Sequence, residues 1–328
     1  MPAPDIIKCL VQCGCPDATN DLRIPGPSSE PAAIGGYSDV YHGYLRDGTS
    51  VAIKCPRAPA AQGITGGGDN PNKVLKRAAK ELYTWSTLNH PNIAKLLGVA
   101  MYLGRMSMVS PWISPGNFYY YVAKHRESVN HFDLCVQVAE GLAYLHGNSV
   151  IHGDLKACNV LVSEDGEVKL TDFGLSFLEE SALRFTASQN HCEGTARWMA
   201  PELIQQSSPR CVETDVYAFG MTVVEIMTEA VPFAEIDSNG RVMYSVAHEG
   251  KTPTRPPRLA FGSAKNNTWW FILAQCWSPS ARYRPTIEQV LRGLTSESWD
   301  RTINTWRLWT RKMSESLSSG MIHTHRYS

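Results

Sequence analysis

His152-Gly-Asp-Leu-Lys-Ala-Cys-Asn159, followed beyond the strand-like Glu167-Val-Lys-Leu-Thr171 by Asp172-Phe-Gly174, is the stretch on which the reading of this sequence turns. An acid, a base and an amide fall within six residues, just after the helix-patterned segment HFDLCVQVAEGLAYLH. Such crowding suits phosphoryl transfer: the Asp154 carboxylate can orient an attacking hydroxyl, Lys156 can neutralise charge on a γ-phosphoryl group, and the Asn159 amide oxygen can bind magnesium. Asp172-Phe-Gly offers a further carboxylate to metal, an apolar anchor and a flexible pivot. Any one of these residues alone would carry no meaning, and a lone D-F-G is commonplace as a turn.

Working outward, the chain before this stretch is strand-patterned. VYHGYL and SVAIKC are β-type runs separated by Arg46-Asp-Gly48, a hairpin signal, so a small antiparallel sheet is expected. Residues 56–72, with three consecutive glycines, read as a loop before the helix-forming KVLKRAAKELYTWSTL. After the apolar run at 106–109 the pattern turns helical, in HFDLCVQVAEGLAYLH, TDVYAFGMTVVEIMT and TWWFILAQCW. Strands early and helices late predict an α+β chain with a sheet-rich small lobe and a helical large lobe. The expected boundaries are a lead-in at 1–28, a catalytic domain at 29–297 that divides at 113/114, and a tail at 298–328. Residues 16–32, rich in proline, serine and aspartate, leave little to bury.

Composition narrows the partners. With 31 Lys and Arg against 31 Asp and Glu in 328 residues, no global field favours nucleic acid or an anionic membrane. Nine cysteines scattered without paired spacing read as reduced thiols, with Cys9, Cys13 and Cys15 as loose tail cysteines rather than metal ligands. No leader pattern and no apolar run of bilayer width is visible, which predicts a soluble cytoplasmic protein. In the tail, Trp299, Ile303 and Trp306 fall at helical spacing among arginines. They fit an added helix packed on the large lobe or an untethered tail, with docking to a membrane or a regulatory partner as the alternative.

The paired segments, at this spacing, resemble the catalytic loop and magnesium loop of protein kinases. The similarity extends upstream to Val51-Ala-Ile-Lys54, like the strand whose lysine meets the α and β phosphates, and to Glu81, which the resemblance pairs with Lys54. Taken singly, Lys54 is a strand-end lysine and Glu81 a surface glutamate. Downstream, GTARWMAPE (194–202) resembles the end of an activation segment. Asp215 resembles the aspartate that holds the catalytic loop backbone, and Arg284 the arginine that pairs with Glu202. Met108 to Asn117 resembles the hinge, which implies Ser110 as gatekeeper and adenine contacts at the Pro111 carbonyl and the Ile113 N–H. The same resemblance puts nucleotide at Ile34, Gly35, Gly36, Val40, Ala52, Leu161, Asn159 and Asp172, with ATP and Mg2+ as cofactors and Asn159 and Asp172 as metal ligands.

Lys156 two residues after Asp154, together with Thr195, resembles serine/threonine kinases, while RWMAPE and the hinge are similar to the tyrosine-kinase-like group. The implied function is γ-phosphoryl transfer from ATP to Ser/Thr hydroxyls of protein substrates. The alternative is a nucleotide-binding pseudokinase acting as a scaffold or allosteric partner. Two departures stand out. The glycine-rich loop keeps one of three patterned glycines, and Gly153 occupies the place of an arginine that grips a phosphorylated loop in many kinases. The second departure implies that activity depends little on phosphorylation between Leu175 and Met199.

Overall fold

A computed structural model describes residues 3–12, 14–23, 30–34, 38–56, 82–173, 195–297 and Trp306. The chain groups into two compact units, one of residues 1–129 with 158–193 and the other of 130–157 with 194–328.

The first unit carries the strands. Helix α1 (Ala3–Gln12) precedes β1 (Leu22–Arg23), β2 (Ala33–Ile34), β3 (Ser38–Leu45), β4 (Ser50–Pro56), β5 (Gly98–Tyr102) and β6 (Arg105–Pro111). They form one sheet in the order β1-β3-β4-β6-β5, with β2 also paired to β3. The predicted hairpin is present: Asp47 accepts from the Thr49 N–H at 2.8 Å, and β3 and β4 pair antiparallel from Ser38↔Pro56 to Tyr44↔Ser50.

Alternation along β4 decides what each face does, because successive side chains of a strand point to opposite faces. Val51, Ile53 and Cys55 are fully buried, in a cluster with Tyr41, Ala100, Tyr102 and Val109. Ala52 and Lys54 therefore point the other way. A second sheet, β7 (Pro115–Asn117), β8 (Val160–Ser163) and β9 (Val168–Leu170), and helix α2 (Phe118–His125) complete the unit.

The N-terminal segment departs from expectation. Residues 3–12 form a helix whose Ile7 and Leu10, three apart on one face, are buried as it packs on β5 and β6. Beyond it, Val99 donates to the Pro16 carbonyl at 2.9 Å and Ala18 donates to the Val99 carbonyl at 2.8 Å, so the lead-in pairs along the sheet edge. Cys15 is not a loose tail cysteine. It is buried, and burial pushes its thiol up to about 11.

The second unit is helical: α3 (His131–Gly147), α4 (Pro201–Ile204), α5 (Val212–Thr228), α6 (Asn239–Glu249), α7 (Ala264–Cys276) and α8 (Ile287–Leu294). Helix α5 is its axis. Every residue from Thr214 to Met227 is buried, as expected of a helix that is apolar nearly all round and packs against α3 and α7. Of the tail pattern, only Trp306 lies among the described residues. It is buried in this unit, and a Cβ on Gly293 of α8 would come within 3.1 Å of its Nε1, so the missing side chain at Gly293 makes the seat.

Candidate active site

In the first unit, sheet register gathers the expected nucleotide residues onto one face. Directly opposed residues of antiparallel strands share a face, and Lys54 stands opposite Val40 and Met108, while Ala52 stands opposite His42 and Ser110. Val40, Ala52, Lys54 and Ser110 are thus neighbours on the side of the sheet turned away from the Val51–Ile53–Cys55 cluster. Ile34 pairs with Asp39 and is exposed. Pro111 ends β6, and Trp112 donates its N–H to the Ser50 carbonyl at 3.0 Å, which ties the start of the hinge-like segment to β4. Ile113 is half-buried, and Leu161 lies on β8 opposite Lys169.

The Lys54 ammonium forms an ion pair with the Asp172 carboxylate. Asp172 has φ +64°, a left-handed conformation that Asp tolerates better than most residues, and Thr171 Oγ1 donates to its Oδ1 at 3.3 Å. The next residue anchors this bend. Phe173 is buried against Trp85 of the helical turn at 82–87, with ring centroids 5.4 Å apart and an interplanar angle of 70°. Trp85 is fixed in turn by donating to the Ala94 carbonyl at 2.8 Å. Asn159 is buried, and its carbonyl accepts from the Thr171 N–H at 3.1 Å, joining the two ends of the β8–β9 hairpin next to Asp172. Glu81, Gly35 and Gly36 lie outside the described residues, as does the segment 174–194 with its candidate phosphosites.

In the second unit, Asp154, Lys156 and Thr195 form a closed cluster. Lys156 Nζ is 2.7 Å from Asp154 Oδ2 and donates to Thr195 Oγ1 at 3.0 Å, and that hydroxyl donates to Asp154 Oδ1 at 3.0 Å. Each group in the triangle has a partner, so the carboxylate is held at one orientation while both side chains of the ion pair stay 15% exposed. A carboxylate held this way can accept a proton from a hydroxyl brought to it, and the adjacent ammonium can offset negative charge.

The backbone beneath the cluster hangs on two buried acids of α5. Asp215 accepts from the His152 N–H at 2.7 Å and the Gly153 N–H at 2.8 Å, and His146 Nε2 lies 2.9 Å from the same carboxylate. Glu225 accepts from the Ala157 N–H and from Trp198 Nε1, both at 2.8 Å, so one carboxylate ties the segment after Lys156 to the segment after Thr195. The sequence reading picked out Asp215 but not Glu225, His146 or Trp198. A lone glutamate inside the apolar run of α5 was the available signal, since a fully buried charge must be partnered.

The expected pair of Arg284 and Glu202 is present and bidentate, at 2.5 and 2.8 Å. Arg284 also donates to the Ser278 and Glu213 carbonyls and lies over the Tyr217 ring. Its side chain is fully buried, so Arg284→Ala strands a carboxylate and two carbonyls. We expect a loss of about 3–5 kcal/mol in urea unfolding, the usual range for breaking a buried pair on one side. A loss below about 1 kcal/mol would place the pair among exposed bridges of little worth.

The chain matches the family described as protein tyrosine and serine/threonine kinase over residues 30–294. A probable serine/threonine-protein kinase of Dictyostelium discoideum is 32% identical over 279 residues, covering 83% of this chain and 27% of that protein. The serine/threonine/tyrosine-protein kinase HT1 of Arabidopsis thaliana is 28% identical, covering 83% of this chain and 65% of its own length. Mitogen-activated protein kinase kinase kinase 10 of Mus musculus is 30% identical over 298 residues, covering 85% and 30%. This chain therefore spans between about a quarter and two thirds of these relatives. With the sheet-borne Lys54–Asp172 pair, the Asp154–Lys156–Thr195 cluster and the Glu202–Arg284 anchor all in place, the chain belongs to the protein kinase family, whose members use ATP as the phosphoryl donor to protein substrates.

Proposed function

We propose that this chain is an active protein serine/threonine kinase, which transfers the γ-phosphoryl group of ATP to Ser and Thr hydroxyls of protein substrates. The observation that carries the reading is the Asp154–Lys156–Thr195 triangle, a complete and satisfied set of acid, base and hydroxyl. The serine/threonine name of the Dictyostelium discoideum relative and the lysine two residues after Asp154 support the same substrate class. In the reaction a bond forms from the substrate oxygen to the γ-phosphorus as the bond to the bridging oxygen breaks, leaving ADP. Asp154 orients the hydroxyl and receives its proton, and Lys156 offsets charge on the phosphoryl oxygens in flight.

On the nucleotide side, Lys54 meets the α and β phosphates, Val40, Ala52 and Ser110 line the adenine's approach, and the Pro111 carbonyl and Ile113 N–H receive its edge. Asp172 and Asn159 fit magnesium. They are hard oxygen donors, one anionic and one neutral, suited to an ion that keeps water and phosphate oxygens in its shell, and the Asp172 side chain is about a third exposed at 32%. The ion supplies neutralisation of phosphate charge. No helix among the described residues is long and apolar enough to cross a membrane, and a cytoplasmic setting suits cysteines scattered without paired spacing. The tail remains a place for a regulatory partner through residues other than the buried Trp306.

Incubating the purified chain with magnesium, labelled ATP and generic protein substrates, followed by phosphoamino-acid analysis, should yield phosphoserine and phosphothreonine. Nucleotide binding with no ADP formed would instead make the chain a pseudokinase. Asp172→Ala should weaken magnesium-dependent ATP binding by at least about tenfold, ~1.4 kcal/mol, in a titration read by calorimetry. ATP binding of equal strength with and without magnesium in the parent would remove Asp172 from the metal.

A further inference from the structure

Gly153 lies between the buried His152 and the half-buried Asp154, and it has φ +81°, a conformation that glycine adopts without the steric penalty other residues meet. That freedom has a drawback. A glycine immediately before the residue that must be held still leaves the backbone there with more states to sample than any other residue would. The structure answers this from elsewhere in the chain. Arg210 runs across Gly153 so closely that a Cβ on residue 153 would lie 3.3 Å from its Cδ, 3.6 Å from Nη1 and 4.0 Å from Nε. The half-buried Arg210 side chain fills the space that a side chain at 153 would need.

The backbone next to Arg210 is anchored at a helix start. Arg210 directly precedes Cys211, the N-cap of α5, where the Cys211 N–H donates to Thr214 Oγ1 at 3.0 Å and the Thr214 and Asp215 N–H groups donate back to the Cys211 carbonyl at 3.1 and 3.2 Å. Asp215, whose carboxylate takes the Gly153 N–H, stands in the first turn of the same helix. The start of α5 therefore grips residue 153 from two sides, by a carboxylate on its N–H and by an arginine over its α-carbon. Neither of two other arginines of this unit is available for that place. Arg197 is spent on Asn239 and the Pro232, Phe233 and Ile236 carbonyls, and Arg284 on Glu202, Ser278 and Glu213.

We propose that Arg210 is a positioning residue for phosphoryl transfer, which clamps the Gly153 hinge so that Asp154 keeps the orientation set by Thr195 and Lys156. The inference rests on Asp154 acting on the substrate hydroxyl, as put forward above. Arg210 touches neither nucleotide nor hydroxyl in this role, so its removal acts on turnover and not on ATP affinity.

The test measures kcat, KM for ATP and the unfolding midpoint of the full chain for the parent, Arg210→Ala, Arg210→Lys, Arg210→Met and Asp154→Asn. Arg210→Ala should lower kcat about tenfold with KM for ATP unchanged within about twofold. Arg210→Lys, which keeps the reach and the charge, should recover most of the loss. Arg210→Met keeps reach alone and should fall between the two; it carries the test if the alanine variant does not fold. A kcat for Arg210→Ala within about twofold of the parent, a parallel rise in KM for ATP, or no recovery by lysine would each overturn the clamp. Asp154→Asn separates the two ideas: if it is as active as the parent, the reading of Asp154 fails, whereas if it is impaired and Arg210→Ala is not, only the clamp fails.

Discussion

Lys54→Met is expected to lower kcat/KM for ATP-dependent phosphorylation by at least about a thousandfold, ~4 kcal/mol of transition-state stabilisation. The size follows from what is lost. Lys54 carries a cation that its strand register places on the face with Val40, Ala52 and Ser110, and it is paired to Asp172, the residue proposed to hold metal. Methionine keeps the length and the apolar stem but supplies no charge. The fold should barely notice, because Lys54 lies on the face opposite the buried Val51, Ile53 and Cys55, and the Asp172 carboxylate left behind is exposed enough for water to solvate it. A half-exposed pair that water can still reach contributes on the order of 1 kcal/mol to stability, so the unfolding midpoint should fall little while turnover collapses. Turnover equal to that of the parent would sink the assignment of Lys54. Collapse of both turnover and folding would show that the lysine is structural.

Much of this site could be read before any coordinates, because its chemistry is local in sequence. Asp154, Lys156 and Asn159 share one short segment, and the alternation of Val51-Ala-Ile-Lys54 already puts Ala52 and Lys54 on one face. What could not be read are groups that act from far away. Glu225 supports the Ala157 N–H from the middle of a buried helix, and nothing in the apolar run TVVEIM says which backbone it will reach. Arg210 over Gly153 is of the same kind, since a contact between a loop glycine and a residue before a distant helix depends on tertiary packing alone.

The N-terminal helix was missed for a different reason. Ten residues are too few to hold a helix in water by propensity, and α1 exists because Ile7 and Leu10 find β5 and β6 to cover. Composition counted the polar lead-in at 16–32 as having little to bury, and the buried Ala18, paired with β5 through its N–H, is where that count fails.

Asp154→Asn is expected to lower kcat by at least about a hundredfold, ~2.7 kcal/mol, with KM for ATP unchanged within about twofold. Asparagine preserves almost everything except the charge. Its Oδ1 can still accept from Thr195 Oγ1, and the backbone stays fixed because the His152 and Gly153 N–H groups are bound by Asp215, not by residue 154. The amide cannot receive the substrate's proton, however, and it leaves Lys156 without the carboxylate that lies 2.7 Å from its Nζ. Lys54 and Asp172, to which the nucleotide is assigned, belong to other segments and keep their own ion pair, so ATP affinity has no reason to change. An equal loss of nucleotide binding would assign Asp154 to the nucleotide and not to the hydroxyl. A loss of less than about threefold would mean that the triangle with Lys156 and Thr195 is a structural tie and that proton transfer is handled without this carboxylate.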